Sequence, residues 1–126
     1  MVTRMNVPGL VRLPAFCHAT RVGDLIFVSG TLGTIDEKGT LAPGGTGPET
    51  EQTLRNIERI LEASGAGLEN VAKMSVFLAD LSTFSEMNEA FVRVMGEGSV
   101  ARITVGGAAL ALSAAVEIEC VAEAPR

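Results

Sequence analysis

The sequence predicts a mixed fold of strands and helices in the order β-β-α-β-α-β-β, one sheet with both helices on a single face. Three observations predict it. The runs Phe16 to Val22 and Leu25 to Ser29 are short and apolar, and Gly23-Asp24 joins them as in a β-hairpin. Two later stretches repeat apolar residues at helical spacing. The run from Val100 to Val121, VARITVGGAALALSAAVEIECV, reads as strand, loop, strand. Right-handed crossovers that run the same way place both helices on one face. The other face then lacks cover within the chain, and self-association is its simplest cover.

Taken in order, residues 1–13 read as a loosely ordered lead-in with a turn at Pro8-Gly9. The first strand spans Phe16 to Val22. The second, Leu25 to Ser29, is apolar almost throughout, as a central strand covered on both faces would be. Ser29-Gly30 closes it, leaving backbone open to close approach by a ligand, although an ordinary strand end reads the same way. Thr31 to Gly47 is a Gly-, Pro- and Thr-rich connection with a turn at Asp36-Glu37-Lys38-Gly39. Thr46 and Glu49 have the spacing of a capping box, and Pro48 suits a first turn. The helix they open runs from about Pro48 to Ser64, burying Leu54, Ile57, Ile60 and Leu61, and Gly65 and Gly67 stop it. Lys73 to Asp80 is the next strand, with Met74, Val76 and Leu78 on one side. Ser82 caps a second helix, about Thr83 to Met95, with Phe84, Met87, Phe91, Val94 and Met95 in its stripe. Asn88 borders that stripe. In the last strand Val116, Ile118 and Cys120 face one way, Glu117 and Glu119 the other.

Composition narrows the function classes. The 126 residues make one domain, 1–126, of which 47% are hydrophobic, yet Trp and Tyr are absent and five Phe are present. So much small apolar surface suits either a subunit that buries more of it against copies of itself or a well-filled monomer core. A net charge of −5 without a Lys/Arg cluster argues against nucleic-acid binding by phosphate neutralisation and against anionic membranes. No apolar run approaches the ~20 residues of a spanning helix, and the start lacks a signal-peptide core. The cytoplasm is the expected compartment. Cys17 and Cys120 form no CxxC pair, and with His18 the one histidine, no metal cluster forms.

Two candidate chemistries remain. Cys17 beside His18 suggests a thiol nucleophile, but adjacent residues of a strand point to opposite faces. Arg102 and Glu117, on strands expected to be neighbours, make either a structural ion pair or a site in which Arg grips an anion while Glu handles a proton or a water.

Five segments together resemble the RidA (YjgF/YER057c/UK114) family. They are Arg21-Val22-Gly23-Asp24-Leu25-Ile26-Phe27-Val28-Ser29-Gly30, the strand Lys73 to Asp80, Phe84 with Met87-Asn88, Ala101-Arg102 and Glu117-Ile118-Glu119. The resemblance covers roughly residues 14–122. It implies a chorismate-mutase-like α+β fold, a homotrimer with a central β-barrel, helices outside and clefts between subunits. It also implies a deaminase that hydrolyses reactive enamine or imine intermediates, 2-aminoacrylate-like and carboxylate-bearing, to 2-keto acids and ammonia with no cofactor and no metal.

By resemblance Arg102 holds the substrate carboxylate, Glu117 attends the attacking water, and Ser29, Gly30 and Asn88 line the cleft. Phe16 falls where many deaminases have Tyr, Thr104 where many have Cys, Ala111 and Val100 where Pro is frequent, and His18 where Gln is frequent. These types suit the chemistry. The fork of Arg binds a carboxylate bidentately, and a shielded carboxylate can orient water onto an imine carbon and accept its proton. Two rivals use the same chain: a non-catalytic trimer that binds keto acids through Arg102, and an endoribonuclease or translation inhibitor, which the acidic balance disfavours.

Overall fold

A computed structural model of the chain describes residues 1–125. Its elements are β1 (Thr3–Met5), β2 (Ala19–Val22), β3 (Leu25–Leu32), α1 (Thr46–Ala63), β4 (Val71–Leu78), α2 (Phe84–Met95), β5 (Ala101–Val105) and β6 (Val116–Glu123). They form a six-stranded mixed sheet in the order β1-β2-β3-β6-β4-β5. β6 enters between β3 and β4, antiparallel to both, while β5 lies parallel to β4 at the edge. The α+β class and the two helices match the expectation.

Alternation along the strands decides what is buried. Ile26, Met74, Val76, Val116 and Ile118 are fully covered by Leu54, Ile57 and Leu61 of α1 and Met87 of α2. Each such side chain contributes about 1.5–3 kcal/mol, which outweighs the modest propensity of any single residue. The opposite sheet face is bare: Leu25 is 45%, Phe27 41%, Ile103 50% and Val105 41% exposed. β3 is therefore covered on one face in the single chain, not on both as its apolar run suggested. No helix among the described residues is long and apolar enough to cross a membrane.

Several boundaries differ from expectation, and tertiary partners explain them. Residues 1–13 are not a loose lead-in throughout. Thr3–Met5 pairs with β2, Thr3 opposite Arg21, and Leu10 is buried. His18 fastens this segment: its Nδ1 accepts from Val7 N at 2.9 Å, so its Nε2–H donates to Val11 O at 2.9 Å. The first long strand starts at Ala19 rather than Phe16 because a turn, Phe16 N to Leu13 O, occupies the residues before it.

α1 starts at Thr46, with Gly45 in a positive-φ conformation as its cap residue. The expected capping box does not form, because the buried Glu49 carboxylate accepts instead from Ala115 N at 2.9 Å. Ser82 does not cap α2. Asp80 Oδ1 accepts from Ser82 N at 2.9 Å in a short turn, Leu81–Thr83, and α2 starts at Phe84.

Candidate functional site

Ser29-Gly30 lies inside β3, not at its end. Val28 pairs with Cys120 and Thr31 with Ile118, so three steps on β3 oppose two on β6. That extra residue is a β-bulge, which bends the strand and re-aims its side chains. Ser29 Oγ donates to Cys17 O at 2.6 Å, and Thr31 Oγ1 to Ser29 O at 2.8 Å. Gly30 sits against the carboxylate: a β-carbon there would stand 2.5 Å from Glu117 Oε2 and push that side chain aside. The bulge thus brings bare backbone against a carboxylate.

Around this point opens a cleft of about 400 Å³. Glu117 and the bulge form its floor. Leu10, Leu13 and Phe16 from the segment before β2 form one wall, and Leu112 from the turn before β6 another. Glu117 is half-buried. Desolvation first, and the like charge of Glu119 second, raise its pKa above the ordinary carboxylate value.

Arg102 is elsewhere. Parallel pairing sets it beside Met74, on the helix-covered face of the sheet, while Glu117 pairs with Phe77 on the bare face. β4 separates their strands. The expected ion pair across neighbouring strands therefore does not exist in the single chain, because β6 crosses to the middle of the sheet. The one ion pair among the described residues joins Arg55 and Glu58 on α1.

The Arg102 guanidinium stacks over Phe91, with Cζ 4.7 Å from the ring centroid, and near Phe84 at 5.6 Å. Its hydrogen bond goes from Nη1 to Met87 Sδ at 3.8 Å, and no oxygen acceptor meets it among the described residues. Partial burial lowers its pKa, but a guanidinium keeps its charge. It opens onto a smaller cleft of about 190 Å³ shared with Asn88 and Val100.

The predicted residues therefore fall into two groups. Phe16, Ser29, Gly30 and Glu117 line the first cleft, Asn88 and Arg102 the second. Thr104 lines neither. It stands two residues beyond Arg102 on β5, on the same face, paired with Val76. Leu10, Leu13 and Leu112 were not anticipated. A wall role for the first two, Leu10 buried and Leu13 exposed, is signalled only by apolar residues flanking Pro8-Gly9 and Pro14. Leu112 carries no sequence signal for its positive φ of 60°.

The thiols stay outside this chemistry. Cys17 Sγ donates to Ala19 O at 3.4 Å, and burial pushes the Cys120 thiol up to about 12. Among the described residues no group of His, Cys, Asp or Glu is arranged to hold a metal ion.

A bulged mixed sheet backed by two helices, with two separate crevices, defines a small α+β binding or catalytic protein. Over residues 10–124 the chain matches the family model described as endoribonuclease L-PSP, and it belongs to that family, the RidA/YjgF family.

It is 41% identical over 110 residues to Reactive Intermediate Deaminase A, chloroplastic, of Arabidopsis thaliana, covering 87% of this chain and 59% of that protein. The chain thus spans somewhat under two thirds of that relative. A 2-iminobutanoate/2-iminopropanoate deaminase of Bos taurus is 38% identical over 107 residues, 85% of this chain and 78% of its own. Both relatives are named as deaminases. The crystal structure of RidA from the Antarctic bacterium Psychrobacter sp. PAMC 21119 superposes with a TM-score of 0.87 at 36% identity, covering 96% of this chain and 98% of that one.

Proposed function

We propose that this protein is a deaminase of small, carboxylate-bearing enamines and imines, and that it works as a homotrimer whose sheets close a central barrel with a cleft at each subunit boundary. Arg102 binds the substrate carboxylate. Glu117 orients a water. Water adds to the C=N carbon and the proton it sheds passes through Glu117 to nitrogen, giving a carbinolamine; its hydroxyl proton then moves, again through Glu117, to the amine as the C–N bond breaks, and 2-keto acid and ammonia leave. Ser29-Gly30 backbone and Phe16 line the cleft from one chain and Asn88 from its neighbour, with Thr104 beside Arg102 on the neighbour's β5. Orientation supplies most of the acceleration, since imines also hydrolyse unaided.

One observation carries this reading: a guanidinium with no oxygen partner among the described residues and a half-buried carboxylate with no cation lie on opposite faces of one chain. Each is half of a site, and the bare apolar face supplies the surface through which a second copy could bring the other half. The cytoplasmic setting belongs to the same proposal, although the Arabidopsis relative is named chloroplastic. Nucleic acid is not a partner in this reading, on the net charge of −5.

The test follows keto-acid release from a 2-imino acid made in situ by an amino-acid oxidase. Wild type should exceed the spontaneous rate, and Arg102→Ala should lose at least about a hundredfold in kcat/KM, the worth of two charge-assisted hydrogen bonds. Equal rates with and without wild-type protein would overturn it. Phe16, which offers no hydroxyl, favours a second reading as a keto-acid binder; Arg102-dependent binding without turnover would establish it.

A further inference from the structure

We propose that the larger cleft is a side-chain subsite that selects 2-imino acids with branched or long aliphatic side chains over two- and three-carbon ones, with Leu112 as a specificity-determining residue. The proposal rests on the reading above and deepens it.

The 2-carbon of an imino acid carries a carboxylate, a nitrogen and a side chain. With the carboxylate on Arg102 and the imine carbon at Glu117, the side chain has the remaining space, which is the cleft walled by Leu10, Leu13, Phe16 and Leu112. The whole cleft, about 400 Å³, is of the order of a small-molecule site, ~300–1,000 Å³, so beyond the reacting carbon and water at Glu117 it leaves more room than a methyl group fills.

Apart from Glu117, its polar side chains are largely engaged. Ser29 Oγ is bonded to Cys17 O and Thr31 Oγ1 to Ser29 O. The His18 ring is held between Val7 N and Val11 O. Asn56 Nδ2 donates to both Leu32 O and Thr34 O at 2.9 Å, while its Oδ1 accepts from Gln52. Thr34 is buried. A polar substrate side chain would lose water there and find few partners, whereas an apolar one gains by burial.

Leu112 is placed at some cost. Its φ is 60° and that of Ser113 is 56°, in the left-handed region that costs a non-glycine residue about 1 kcal/mol or more. Core burial does not hold it there, for the side chain is 51% exposed. Two features brace the turn. Gly39 makes room, since a β-carbon at that position would stand 3.0 Å from Leu112 Cδ1. The buried Glu49 carboxylate anchors Ala115 N just beyond. A strained, braced, exposed leucine over a cleft is a wall placed for a ligand rather than for the core.

The experiment compares imines generated by an amino-acid oxidase from leucine and from alanine, and separately titrates the keto acids 4-methyl-2-oxopentanoate and pyruvate by calorimetry. We expect kcat/KM and affinity to favour the larger compound by at least about tenfold, the discrimination a few methylenes supply. Leu112→Asn, whose side chain tolerates the left-handed backbone, should cut that ratio by about tenfold. Turnover of both imines without preference, or a preference unmoved by Leu112→Asn, overturns the subsite and leaves the deaminase reading standing. Preferential binding of the larger keto acid with no turnover of either imine keeps the subsite and overturns the deaminase. Absence of both binding and turnover overturns both.

Discussion

At the scale of single residues, Glu117 shows why a functional carboxylate is a burden to the fold. Burial and Glu119 raise its folded-state pKa above the unfolded value. Between those two values the native state holds a proton that the unfolded chain has lost, so wild-type stability falls as pH rises through that interval and is level above it. Glu117→Gln removes the penalised charge. With the chains dissociated by dilution it should melt higher than wild type at pH 7, and the gain should vanish as pH drops below the ordinary carboxylate value, as thermal melts across pH would show. The same substitution should abolish imine turnover, because the amide cannot take the water's proton. In the wild type kcat/KM should have an acid limb set by Glu117, and Glu119→Gln should move that limb to lower pH by deleting the like charge. A limb that ignores Glu119 would remove Glu117 from the proton path.

At the scale of elements, α1 does more than cover the sheet. Asn56 on its inner face is 1% exposed and ties the carbonyls of Leu32 and Thr34, which lead out of β3. Asn56→Leu would leave both acceptors buried and unpaired, a loss of about 2–6 kcal/mol at 1–3 each, readable as a lowered denaturation midpoint. Neither role is legible in a helix read by its apolar period, which reports which face is buried but not what a polar residue on that face touches.

The same limit explains the other differences. Period-two alternation alone places Val116, Ile118 and Cys120 on one face and Glu117 on the other, and they lie there. The bulge at Ser29-Gly30 needs the register of β6 to be known, and the short strand Thr3–Met5 exists through its pairing with β2 and the bonds to His18. Such features depend on residues far apart in the chain. Glu49 is the clearest case: its local capping role was sound chemistry, but Ala115 N offers a partner 66 residues away that uses the same carboxylate.

At the scale of the whole molecule, strand order separates the two halves of the proposed site. β6 lies between β3 and β4, so Arg102 at the β5 edge and Glu117 near the middle cannot share a crevice of their own chain. If copies join through the bare face, each cleft takes Arg102 from one chain and Glu117 from its neighbour, and that arrangement has a signature no single-chain site can imitate. Arg102→Ala and Glu117→Gln should each be inactive alone. Co-expressed or refolded together, they should regain about a quarter of wild-type activity, because in a closed ring of randomly mixed chains that fraction of boundaries pairs an intact Arg with an intact Glu. Sedimentation should show three chain masses for the wild type and both variants, so that lost activity is not lost assembly. A mixture that stays as inactive as its components, while sedimenting as the wild type does, would refute the shared site.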